Sequence, residues 1–397
     1  MMKKSLLILT VCCLSANTYA NLIGDGYYRV KNYGSQRWAS LIDDQCEIDM
    51  EATNADLHAM KLTLNYDEIL PDPGSIIYIR SLGGNKYDVA AQGTSVEELM
   101  GYSVSIAPDG TAPDGQTLYR LYGVYKGVTK YIGDKIMTNT TEGFATISPL
   151  TNPDFVRWCI IPVDVQSDNY LGTLPTVNIN GYNYNTLFAS FSYKPFNPGM
   201  KAYYIGRTGD GIAEMIEIIN DVPAKTPVII ECNGVNVADN KLEITSNPAT
   251  ITGNTLEGVY FDFYYSKNLQ NRVLYDPATM RVLGKCSDGS LGFITSPDLV
   301  SIPANSAYLK VEEGSPAEFK CVTPEEFTAS VQSLISTDSN IRYKNGHLIS
   351  DGNDQITVLS MAGQTVAKGS GSLNVQNLPK GVYLAKSGNK ILKFMVN

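Results

Sequence analysis

Apolar and polar residues alternate in short runs along most of the chain, and Gly, Pro, Asn and Asp interrupt the runs. A two-residue period over strand-length segments rich in Tyr, Val, Ile and Thr predicts β-strands joined by turns, because alternate side chains then face a core and solvent. Three phrases repeat one theme of aromatic strand, turn and second strand: GYYRVKNYGSQRWASL from 26, GSIIYIRSLGGNKYDVAAQG from 74 and TLYRLYGVYKGVTKYIGDK from 117. Their starts lie roughly 40 to 50 residues apart, the spacing of the three units of a β-trefoil. FVRWCIIPVD closes the region, which reads as a β-trefoil-like domain over 21–165. Helix is expected there only around Asn54 to Lys61 and Ser95 to Leu99.

VDVQSDNYLGT breaks the pattern near Val165 to Thr173 and reads as a linker. Residues 174–322 are again strand-like, with GYNYNTLFASFSY, MKAYYIG, TPVIIEC, VYFDFYYS and SAYLKV as the apolar runs of a β-sandwich domain. The phrases Val222 to Val228 and Ile302 to Tyr308 each put a Pro-containing turn before an apolar strand, as expected of a residue that cannot donate to a strand ladder. Gly206, Gly209 and Gly211 read as a hairpin loop rather than a phosphate cradle. A linker helix spans 323–338: Thr323 can cap it, Pro324 suits its first turn, Glu326 completes a capping box, and Phe327, Val331, Leu334 and Ile335 form an apolar stripe. A fresh alternating pattern over 339–397, with its own turns, predicts a C-terminal Ig-like β-sandwich. The chain as a whole is predicted to be all-β.

The ends of the chain carry address signals. Lys3 and Lys4, the apolar run Leu6 to Leu14 and Thr18-Tyr19-Ala20 make residues 1–20 a signal peptide cleaved before Asn21. Val11 before Cys12 is not the small residue that lipidation requires, so ordinary cleavage is expected. No later apolar run approaches the ~18 residues of a membrane helix, so no transmembrane segment is expected after cleavage. In the last 59 or so residues, Leu378-Pro379-x-Gly381-Val382-Tyr383 followed by a final strand bearing Lys390 and Lys393 resembles the C-terminal sorting domain of the type IX secretion system. That resemblance implies secretion or cell-surface display by way of the periplasm, with Pro379, Gly381, Tyr383, Lys390 and Lys393 as the sorting signal and the secretion machinery as a partner. Gly26-Tyr27-Tyr28-Arg29-Val30, Asp72-Pro73-Gly74-Ser75, Ala91-Gln92-Gly93-Thr94 and Trp158-x-Ile160-x-Pro162-Val163 resemble the trefoil-like domains of exported proteins of Bacteroidota. Gly181-Tyr182, Thr186-Leu187, both proline phrases and Gly289 to Phe293 are similar to the β-sandwich that precedes the sorting domain in those proteins.

Chemistry is sparse. A formal net charge of −9, with no basic cluster, argues against nucleic acid as a partner. Five cysteines remain beyond the leader, Cys46, Cys159, Cys232, Cys286 and Cys321, odd in number and far apart, without a CxxC spacing. Buried free thiols are the expected state. Only two histidines exist, His58 and His347, and His347 lies in the C-terminal segment, so His58 alone could serve a Ser or Cys nucleophile as base and such machinery is not expected. No metal motif or cofactor fingerprint occurs, so no metal site and no cofactor are expected. Paired carboxylates such as Asp43-Asp44 or Glu97-Glu98, with Asp262, keep a glycoside hydrolase open as an alternative. A structural or adhesive surface protein is a further one.

The aromatic usage points elsewhere. Tyrosine is abundant at 25 and tryptophan scarce at 2. A tyrosine lays an apolar ring against the C–H face of a sugar while its hydroxyl hydrogen-bonds. The candidate ligand-binding residues are Tyr33, Tyr87, Tyr122, Tyr125 and Tyr131, with Trp38 beside them; Trp38 and Trp158 also suit a barrel core. Gln36-Arg37-Trp38 matches the Gln-x-Trp of ricin-like lectins only once. The reading is a non-catalytic binding protein that recognises a glycan or a surface-protein ligand.

Overall fold

A computed structural model describes residues 23–41, 56–63, 69–90, 103–125, 128–134, 142–146, 152–246, 249–260, 264–265, 269–270, 273–333, 341–350, 354–361, 363–388 and 390–396. The chain forms two compact units: residues 1–69 with 75–163, and residues 70–74 with 164–397. Among the described residues the only α-helix is α1, Pro324–Ser333, and the rest is strand, turn and short 3-10 helix.

The first unit contains ten strands: β1 Gly26–Asn32, β2 Trp38–Leu41, β3 Asp56–Thr63, β4 Ile77–Gly83, β5 Lys86–Ala90, β6 Ser103–Thr111, β7 Thr117–Tyr125, β8 Val128–Asp134, β9 Glu142–Thr146 and β10 Trp158–Pro162. Antiparallel pairing runs β1-β4-β5-β6-β7-β10 and returns from β10 to β1, a closed six-stranded barrel with no free edge. The β2–β3 hairpin is inserted between β1 and β4 and the β8–β9 hairpin between β7 and β10, and β3 pairs with β9 across them. This is trefoil-like connectivity, three units each giving two strands to the barrel. Each barrel strand turns two side chains inward: Tyr28 and Val30, Ile77 and Ile79, Tyr87 and Val89, Val104 and Ile106, Tyr119 and Leu121, Trp158 and Ile160. The first strand of every unit thus repeats Tyr-x-aliphatic, as YRV, YDV and YRL.

The structure departs from two expectations. The second unit starts at Lys86, not at Gly74, because the run from Ile77 is the closing strand of the first unit; the starts are Gly26, Lys86 and Thr117, unevenly spaced. The stretch expected to be helical around His58 is strand β3, held by pairing with β2 on one side and β9 on the other. Its Ala, Met and Lys favour a helix weakly, and ladder hydrogen bonds to two neighbours outweigh that preference. Ser95 to Leu99 lie outside the described residues.

In the second unit, residues 164–172 are more than a linker. Asp164 makes a turn that accepts from the Gln166 backbone N–H at 2.9 Å, and Leu171–Gly172, with Leu171 fully buried, pairs with Lys241–Thr245 in a three-stranded sheet. A ten-stranded sheet follows, in which a parallel pair, Ile212–Glu217 with Glu318–Val322, joins two antiparallel halves. One core draws Tyr203, Ile205 and Ile229 from one half and Phe293, Leu309 and Phe319 from the other, so the sheet folds over on itself as a sandwich. The Gly206 to Gly211 segment is the expected hairpin: Asp210 and Gly211 take φ 46° and 79°, the left-handed pair that a two-residue turn requires.

Helix α1 begins with the expected capping box: Thr323 N–H donates to Glu326 at 3.0 Å and Glu326 N–H to the Thr323 hydroxyl at 3.3 Å. Phe327 is buried beneath the Arg207 guanidinium, 4.7 Å from ring centroid to carbon, and Arg207 in turn holds the buried Glu214 through two bonds of 2.7 Å. Leu334 and Ile335 lie outside the described residues. The C-terminal segment pairs as a three-stranded sheet and a four-stranded sheet around a core taken wholly from residues 341–396.

Candidate functional site

Strand alternation decides which tyrosines of the barrel can meet a ligand. Tyr87, a sequence candidate, is excluded: it points inward, is fully buried, and its hydroxyl accepts from the Ile23 backbone N–H at 3.4 Å. Trp38 is also buried, with the Lys31 ammonium 5.4 Å from its ring, and Arg37 beside it is spent on a buried ion pair with Asp134. The Gln36-Arg37-Trp38 phrase is therefore a turn and core element. Trp158 fills the barrel core and donates its indole N–H to the Ile132 carbonyl at 2.8 Å. Tyr33 is half-buried against a small outer cluster of Ala112, Leu118, Cys159 and Ile161. Tyr125 ends β7 opposite Val128; its side chain lies outside the described residues.

Tyr122 and Tyr131 are the two candidates that the structure brings together. Residues 119, 121 and 132 point into the core, so 120, 122 and 131 point out. Tyr122 sits directly opposite Tyr131 across the β7–β8 pair, ring centroids 6.0 Å apart and tilted by 50°, both half-exposed. Arg120 lies two residues along β7 on the same face, with its guanidinium 5.3 Å from the Tyr131 centroid. Its Nε donates to Asp109 Oδ2 at 2.7 Å, and Arg157 Nε donates to the same oxygen at 2.7 Å, while Arg157 Nη1 reaches Asp154 at 2.9 Å. The terminal nitrogens of Arg120 have no partner among the described residues.

The sequence reading missed Asp109, Arg120 and Arg157. Asp109 precedes Gly110 and reads as a turn residue, whereas it lies within strand β6 at a bulge between Pro108 and Thr111, where it has no register partner and its carboxylate accepts from both arginines. Period-two spacing of Arg120 from Tyr122 was the available signal for the arginine. The arrangement offers a tilted two-ring platform bordered by fixed N–H donors and a carboxylate. It contains no nucleophile with a base beside it. Asp43, Asp44, Glu97, Glu98 and Asp262 lie outside the described residues, and no cluster of His, Cys, Asp or Glu that could hold a metal occurs among the described ones.

Cys159, Cys232 and Cys286 are buried free thiols, Cys321 is free and partly buried, and Cys46 lies outside the described residues. Burial raises all four pKa values, that of Cys232 to about 12, so none is an activated thiolate.

The residues of the C-terminal phrase have structural work of their own. Tyr383 is buried against Phe394, and its hydroxyl donates to the Pro379 carbonyl at 2.8 Å. Tyr28 repeats this corner at the first strand, donating to the Gly24 carbonyl at 2.7 Å across the same Gly-x-Tyr spacing. Gly381 opens the strand that carries Tyr383, and Lys390 pairs with Ser387 at the start of the last strand. Lys393 is exposed on that strand.

No family model matches the chain, and no curated protein matches it in sequence. The search of solved structures returns one described as the structure and mode of action of a mosquitocidal holotoxin, at 9% identity and a TM-score of 0.25. The match covers 95% of this chain and 45% of that one, so the chain spans less than half the length of the holotoxin chain. No helix among the described residues is long and apolar enough to cross a membrane.

Proposed function

We propose that this is an exported, non-catalytic binding protein whose trefoil-like domain recognises a saccharide at the Tyr122–Tyr131 face. The observation that carries the reading is the pairing of two half-exposed tyrosine rings with an arginine fixed by Asp109 at their border. A sugar ring presents apolar C–H groups on one face and hydroxyls at its rim; the rings supply the first contact, and Arg120 with Asp109 supplies donors and an acceptor for the second. Because the ion pairs hold the arginines in place before binding, little side-chain entropy remains to be lost. The leader and the C-terminal phrase support export through the periplasm, with Lys393 in position to be read by the secretion machinery while Pro379, Gly381 and Tyr383 keep the terminal sandwich folded.

Screening the chain lacking its leader against a glycan array tests this reading. A defined set of saccharides is expected to bind, and Tyr131→Ala is expected to abolish binding with little shift of the melting temperature, since a half-exposed ring on the outer face makes few core contacts. A blank array, or a Tyr131→Ala variant that binds as well as the parent, overturns it.

A further inference from the structure

The arrangement at β6, β7 and β8 recurs on the adjoining strands β1, β4 and β5. Tyr27 faces Tyr78 in register across the β1–β4 pair, with ring centroids 5.0 Å apart and tilted by 59°. Their neighbours Tyr28, Ile77 and Ile79 point into the core, so both rings lie on the outer face, half-exposed. Arg80 follows Tyr78 by two residues on that face, and its Nη2 donates at 2.8 Å to Asp88, its register partner on β5. Read strand by strand, both places give tyrosine, then tyrosine with arginine, then aspartate: Tyr27, Tyr78 with Arg80, and Asp88 in one; Tyr131, Tyr122 with Arg120, and Asp109 in the other. The barrel core alone does not require this likeness, since none of these eight side chains belongs to it.

We infer that Tyr27, Tyr78, Arg80 and Asp88 form a second saccharide site, and that both sites take neutral rather than acidic sugars. The inference rests on the saccharide reading of the Tyr122–Tyr131 face. Arg80 is paired with Asp88 and has Asp25 nearby, Arg120 is paired with Asp109, and the added Arg157 is balanced by Asp154, so no arginine at either place is left uncompensated. A charge-balanced cluster on a chain of net charge −9 gives no field that attracts an anion. Arginine N–H donors beside tyrosine hydroxyls suit vicinal hydroxyls, each of which can both donate and accept, while the buried Asp88 holds Arg80 in place. The Arg80 side chain is 38% exposed, so its remaining N–H groups reach solvent.

Titration calorimetry of the chain lacking its leader with lactose, maltotriose, mannotriose and chitotriose tests this. At least one of these is expected to bind at two equivalents per chain, with Tyr78→Ala and Tyr122→Ala each lowering this to one and the double variant to none. Arg80→Gln, which keeps the ring pair, is expected to lose the same equivalent as Tyr78→Ala and decides the matter if the alanine variant does not fold. One equivalent in the parent, unchanged by Tyr78→Ala or Arg80→Gln, overturns the second site while the first stands. No saturable binding of any of the four sugars overturns both. Tighter binding of sialylated lactose than of lactose overturns the assignment to neutral ligands.

Discussion

The most demanding single residues of the first unit are charged ones placed where water cannot reach. Arg37 and Asp134 are almost wholly buried and paired, and removing one partner leaves the other without its counter-charge in a poorly solvated site. Asp134→Ala is expected to cost about 3–5 kcal/mol in denaturant unfolding of the first unit, whereas Arg37→Met with Asp134→Leu recovers most of that loss because both charges go. A double variant as weak as the single one would show that hydrogen bonds to other partners dominate. Arg281 is solved differently: it is buried and donates to the carbonyls of Pro277, Met280, Ser315 and Pro316 at 2.7 to 3.1 Å. Cys232 gives a pH signature. Burial raises its folded pKa to about 12, above the ordinary thiol value of 9.0, so the folded state holds the proton more tightly. Its contribution is complete below about pH 9 and is lost as pH rises toward about 12. Unfolding followed between these values should show a decline that Cys232→Ala flattens; an unchanged slope would place the alkaline sensitivity elsewhere.

Among elements, the corner made by Tyr383 separates a folding role from a recognition role. Tyr383→Phe keeps the ring on Phe394 and removes one bond to the Pro379 carbonyl, a loss of about 1 kcal/mol. Tyr383→Ala empties a buried site and is expected to cost about 3–5 kcal/mol. If the phrase acts by folding the sandwich, export in the native host should follow stability: near normal for Phe, lost for Ala. Export lost in the Phe variant at unchanged melting temperature would mean that the hydroxyl itself is read. The capping box of α1 was legible residue by residue because a cap needs only neighbours within one turn. Strand β3 was not, since its partners β2 and β9 are remote in sequence and its own residues favour a helix. The aromatic positions divided the same way. Alternation alone puts Tyr27 and Tyr28 on opposite faces, yet which face is the core is fixed only when six strands close into a barrel.

At the scale of the molecule and among the described residues, the barrel core draws on residues 23–160, that of the folded-over sheet on 203–319 and that of the terminal sandwich on 341–396. If the terminal sandwich folds by itself, folding upstream needs no residue beyond Ser336. A chain ending at Ser336 is expected to fold, resist protease and stay in the periplasm of the native host. Normal arrival of that truncated chain at the surface or in the medium would end the sorting proposal.

By itself the sequence determined the all-β class, the terminal sandwich, the helix start at Thr323 and the supply of tyrosines, because periodicity, turn residues and caps act over a few neighbours. Tertiary structure alone decided that the second trefoil unit begins at Lys86, that Tyr87 is core while Tyr122 and Tyr131 form a platform, and that Asp109 joins Arg120 to Arg157. Each of these depends on which strands lie side by side, and long-range pairing places together residues that no local pattern connects.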